Sequence, residues 1–97
     1  MCAITHFIFS IFFDLAGVTK FEKRYNSEIK ALGERIKAIR IQKKLTQLDL
    51  EVSSGINRTE ISRIETGQKN VEFITLVKLA LALDVELVDF FGEMEGL

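Results

Sequence analysis

Residues 46–67 constrain this chain more than any other stretch. Thr46-Gln-Leu-Asp49 and Asn57-Arg-Thr-Glu60 are two helix-start signals eleven residues apart. In each, a short polar side chain can accept from the amide three residues on, and an acid at that third position can reach back. Gly55 lies between the two signals and Gly67 follows the second, both at places where a helix closes on a left-handed residue. The spacing predicts one short helix from about 47 to 53 and another that starts after Asn57 and stops at Gly67. Leu50, Ile56, Ile61 and Ile64 fall where they lock both helices onto one core. The opposite face of the second helix presents Arg58, Thr59, Ser62 and Arg63.

The rest of the chain reads as more helix. Ile29, Leu32, Ile36 and Ile39 recur at three- and four-residue steps, predicting a first helix from about Ser27 to Lys44. Phe73, Leu76, Leu79, Ala80 and Leu83 predict a fourth over 73–83, and Leu87, Phe90 and Phe91 a short fifth over 86–92. Proline is absent, and several of the six glycines read as punctuation between helices. The fold class is therefore all-α: a compact five-helix domain over 27–92, an apolar extension over 1–26 and a short acidic tail over 93–97. With 97 residues in all, such a chain buries only about 60% of its unfolded surface, so self-association would help it.

Composition removes most chemistry. Cys2 is the single cysteine and His6 the single histidine, which excludes a disulfide framework and a four-ligand zinc site. With no glycine-rich phosphate loop and no nucleophile–base set to assemble, no catalytic residue, metal or cofactor is expected, and the chain does not read as an enzyme. The Glu93/Glu95 pair reads as a solvated chain end. Net charge is −1 overall, but it is unevenly placed. Residues 20–69 carry twelve Lys/Arg against seven Asp/Glu, a balance of +5, while residues 70–97 stand at −5. A basic middle that holds both short helices points to a polyanion, and the near-neutral total conceals it.

Two capped helices around a glycine-bearing turn are the layout of a helix-turn-helix, whose second helix enters a DNA major groove. The chain resembles the lambdoid-repressor, or Cro-type (XRE-family), helix-turn-helix proteins of bacteria and phages. LGERIKAIRIQKKLTQLDL at 32–50, SGINRTEISRIETGQKN at 54–70 and LVKLALALDVELVDFF at 76–91 carry the resemblance. It implies a cytoplasmic transcriptional regulator, typically a repressor, that binds double-stranded DNA sequence-specifically as a dimer on an inverted repeat. It places Arg58, Thr59 and Arg63 at base edges, and Gln47, Asn57, Ser62, Thr66, Lys69 and Asn70 at the DNA backbone. It makes Arg40 and Glu65 a structural pair joining the first helix to the recognition helix. A homodimer contact through the last helix is implied as well, at Leu87, Val88, Phe90 and Phe91. Two residues depart from the pattern. Glu51 stands where the family has alanine and must turn outward or find a cation. Val71 replaces the usual proline and loosens the approach to the fourth helix.

Residues 1–19, MCAITHFIFSIFFDLAGVT, lie outside the resemblance and hold four of the eight phenylalanines. No Lys or Arg precedes the apolar run, so it does not read as a signal peptide. As a membrane span it is marginal, with His6 and Asp14 inside about 18 residues against the roughly 20 needed. Packing on the domain or on a dimer partner, or a true start further along the chain, are the other readings. Two rival functions remain: an antitoxin-like protein-interaction module with secondary DNA binding, and a membrane-tethered regulator.

Overall fold

A computed structural model describes residues 19–92, which form four α-helices and one 3-10 turn, with no strand among them. The helices are α1 (Lys20–Gln42), α2 (Gln47–Ser54), α3 (Arg58–Glu65) and α4 (Phe73–Leu83), and the turn covers Leu87–Phe90. The two central helices begin and end where the capping signals place them. Thr46 and Asp49 exchange both hydrogen bonds of a capping box, at 3.0 and 2.8 Å. Gly55 closes α2 at φ 77° and Gly67 follows α3 at φ 73°, a region that costs a side chain strain and glycine nothing.

Two boundaries differ from the sequence expectation. The first helix starts at Lys20, with Thr19 as its cap accepting from the Glu22 amide at 3.0 Å. Phe21 and Tyr25 carry the four-residue step back from Ile29, but both stay exposed, so the nearly two turns gained before Ser27 rest on the Thr19 cap, an Arg24–Glu28 pair and the stacked Phe21 and Tyr25 rings, not on the core. The boundary drawn at 27 thus falls inside α1. The expected fifth α-helix is a four-residue 3-10 turn, closed by the Phe91 amide donating to the Val88 carbonyl at 3.1 Å. Arg35 of α1 reaches over and donates to the Asp89 carbonyl at 2.8 Å, which ties this turn to the domain.

The core is Ile36 and Ile39 of α1, Leu50 of α2, Ile56 of the turn, Ile61 and Ile64 of α3, Leu76, Leu79, Ala80 and Leu83 of α4, and Phe90. Each large side chain among them contributes about 1.5–3 kcal/mol by leaving water. Phe73, expected on the inward face of α4, is 69% exposed at the helix start. Helix α1 packs chiefly on α3, while α2 packs on both α3 and α4. Gly33 lies inside α1 at this crossing: a Cβ there would sit 2.1 Å from the Ile64 carbonyl oxygen. It is a close-approach glycine, and it lets α1 meet the backbone of α3.

Candidate nucleic-acid interface

Helix α3 divides its residues by solvent. Ile61, Ile64 and Glu65 are buried, whereas Arg58, Thr59 and Arg63 are exposed and Ser62 is half-buried. With eight residues there are barely two turns, so one face must serve the core and the other the surface.

The buried face is held by an ion pair. Arg40 of α1 donates to Glu65 through Nε at 2.7 Å and through Nη2 at 3.0 Å, a two-pronged contact that fixes orientation as well as distance. Its Nη1 donates to the Leu45 carbonyl at 2.9 Å, and Gln47 of α2 donates to the same Glu65 carboxylate at 3.1 Å. Three helices therefore meet on one carboxylate whose side chain is 1% exposed. Among the described residues no buried side-chain polar atom lacks a partner, which is the condition under which a dry ion pair is tolerable.

The exposed face is concave. Gln47, Arg58, Thr59, Ser62 and Arg63 line one open depression of about 350 Å³. Five of the nine residues expected at DNA are thus brought together by the fold. Asn57 is occupied as the cap of α3, its Oδ1 accepting from the Glu60 amide at 2.8 Å. The Thr66 hydroxyl donates to the Ser62 carbonyl at 2.9 Å. Lys69 pairs with Glu60, so the acid that the sequence placed at the reciprocal capping position serves a cation nine residues on. Asn70 borders a separate, apolar groove with Tyr25, Ile29, Leu32, Val71 and Phe91.

Glu51 was expected to turn outward or find a cation. Instead its Oε2 accepts from the Arg58 amide at 2.8 Å, and it is half-buried. The sequence signal for this contact is weak: Glu51 lies one helical turn before Gly55, whose reversal carries the chain back to the start of α3. Asp49 has its carboxyl held below the usual aspartate range, first by the Thr46 amide and then by the Thr46 hydroxyl. At the C-terminal end Phe90 is 1% exposed and belongs to this protomer's own core. Of the four residues expected at a dimer contact, Val88 and Phe91 are the exposed ones, at 71% and 54%.

Residues 36–90 match the family model described as Helix-turn-helix. The chain belongs to the helix-turn-helix family. It is of the Cro, or XRE, type, as the resemblance implied. This helix-turn-helix chain is 37% identical over 62 residues to the immunity repressor protein of Bacillus phage phi105, covering 64% of its own length and 43% of the repressor's. It thus spans under half of that relative. Among solved structures it is similar to the restriction-modification controller protein C.AhdI from Aeromonas hydrophila, at 35% identity and a TM-score of 0.66, covering 67% of this chain and 98% of that one. It is also similar to the controller C.Esp1396I, solved as a tetramer in complex with its natural 35 base-pair operator. There the identity is 35% and the TM-score 0.62, over 65% of this chain and 83% of that one.

Among the described residues no helix is long and apolar enough to cross a membrane. The readings made for residues 1–19 fall, but for Thr19, outside the described residues.

Proposed function

We propose that this protein is a transcriptional regulator that binds double-stranded DNA sequence-specifically, as a homodimer on an inverted-repeat operator. The observation that carries the proposal is the split of α3: a buried face clamped by Arg40 and Gln47 through Glu65, and an open face lined by Arg58, Thr59, Ser62 and Arg63. A rigidly held helix with exposed donors is what reading base edges requires.

In this reading α3 lies in the major groove, and Arg58, Thr59 and Arg63 meet base edges. An arginine bidentate to guanine supplies about 1–3 kcal/mol of discrimination. Gln47, Asn57, Ser62, Thr66, Lys69 and Asn70 meet the sugar–phosphate backbone and set register. Lys69 does so only by leaving Glu60, its partner in the free protein. Val88 and Phe91 form the dimer contact, with Leu87 and Phe90 supporting them from the core side. Two recognition helices would then sit about 34 Å apart, one turn of duplex. The similarity to a phage immunity repressor and to a controller protein solved as an operator-bound tetramer supports this reading. We take the cytoplasm as its compartment and the helical domain over 27–92, with the turns of α1 that precede it, as the part that binds.

The test is selection of bound duplexes from a random pool, followed by sequencing. The wild-type protein should enrich an inverted repeat, and Arg63→Ala should relax the preference at one position in each half. Enrichment of no sequence, or the same sequence from both proteins, overturns the base-reading assignment.

A further inference from the structure

Glu51 is joined to both sides of the turn between α2 and α3. Its backbone carbonyl accepts from the Gly55 amide at 2.9 Å, closing α2. Its carboxylate accepts from the Arg58 amide at 2.8 Å, opening α3. One residue therefore clasps the reversal from both ends. The second bond spans seven residues, so it is a tertiary restraint on the angle between the two helices.

The same bond sets the charge at the tip of α3. The first amides of a helix have no partner within it and attract anions, duplex phosphates included. Here the Arg58 amide is held by Glu51, and the Glu60 amide by Asn57 at 2.8 Å. A phosphate approaching that tip meets a carboxylate within a few ångströms and is repelled. A base edge that offers a hydrogen-bond donor, such as the cytosine amine, meets no such penalty.

We infer that Glu51 is a specificity-determining positioning residue, which holds the first amide of the recognition helix and denies that amide to the duplex phosphates. The inference rests on the DNA-binding reading given above. It makes Glu51 a discriminator against non-specific duplex: it weakens the sequence-independent grip more than the sequence-dependent one.

The experiment compares Glu51→Gln and Glu51→Ala with wild type on the selected duplex and on a random duplex of equal length, across a salt series. Glutamine keeps an acceptor for the Arg58 amide and removes the charge; alanine removes both. Both variants should bind the random duplex roughly 3- to 10-fold more tightly at low salt, the scale of about one gained phosphate contact. The ratio of selected to random affinity should fall in both. Wild-type ratios in both variants overturn the inference. Glutamine preserves the shape of the site, so the test survives if the alanine variant does not fold. Arg63→Ala run alongside separates the two failures. If wild type itself does not prefer the selected duplex over the random one, the DNA-binding reading fails; if wild type and Arg63→Ala differ in selection while both Glu51 variants keep the wild-type ratio, only the role of Glu51 does.

Discussion

Arg40 on α1 and Arg63 on α3 occupy contrasting regions of one small domain. The Arg40 side chain is 10% exposed and spends its donors on Glu65 and the Leu45 carbonyl. Arg63 is exposed and lines the open depression on the outer face of α3. The same side chain is structural in the first place and, in the proposed reading, a recognition group in the second, because water decides the cost of leaving it unpaired. A buried guanidinium without its carboxylate has nothing to replace the lost solvation, whereas an exposed one is solvated until a base edge displaces the water. The contrast also explains why a domain this small can read sequence. The dry pair holds α3 still, and the wet face keeps its donors available.

That contrast can be broken most forcefully at its buried end. Arg40→Ala should cost about 3–5 kcal/mol by stranding Glu65, enough to unfold a marginal domain, as the denaturant midpoint would register. Arg63→Ala should leave the unfolding free energy within about 0.5 kcal/mol of wild type and act on sequence selection alone. Equal effects of the two on stability would refute the division between regions.

A second strike at the buried region goes through Gly33. A Cβ added there has no room beside the Ile64 carbonyl, so Gly33→Ala should destabilise by about 1–3 kcal/mol through overpacking, although alanine is the better helix former by about 1 kcal/mol. A stabilised variant in thermal melts would mean that α1 and α3 do not cross so closely. On the exposed side, Lys69→Ala should weaken binding to all duplexes alike and lower the salt slope by about one. A sequence-dependent loss in the same titration would move Lys69 from the backbone to the bases.

The smallest effect concerns Asp49. Its carboxyl is held below the usual range by Thr46, so its contribution is present above the ordinary aspartate range and is lost as pH falls through the lowered value. The stability gap between wild type and Asp49→Ala should therefore narrow in acid. A gap that stays constant to low pH would remove the charged capping box from the account.

How much of this was legible beforehand depends on the range of each interaction. The Thr46–Asp49 box and the Asn57 cap join residues three apart, so sequence alone displays them, and both form. Ile36, Ile39, Ile61 and Ile64 follow helical periodicity, Leu50 and Ile56 flank the glycine of the turn, and all are buried. The pairing of Arg40 with Glu65 came from a resemblance, since nothing local joins residues 25 apart. The role of Gly33, the Glu51–Arg58 bond and the Glu60–Lys69 pair could not be read locally, because each depends on where a different element lies in space. Phe90 and Phe91 show the same limit at one-residue resolution: the tight 3-10 turn sends the first inward and leaves the second in water.

The amino-acid order alone determined that this chain is helical, where its two central helices begin and end, and which face of α3 is polar. Those properties come from caps, glycines and periodicity, which act over one or two turns. Only the tertiary structure decided that Gln47, Arg58, Thr59, Ser62 and Arg63 share one depression, that Glu51 clasps the turn, and that Val88 and Phe91 face outward while Phe90 does not. Burial and long-range hydrogen bonds belong to the packed arrangement, and no residue carries them by itself.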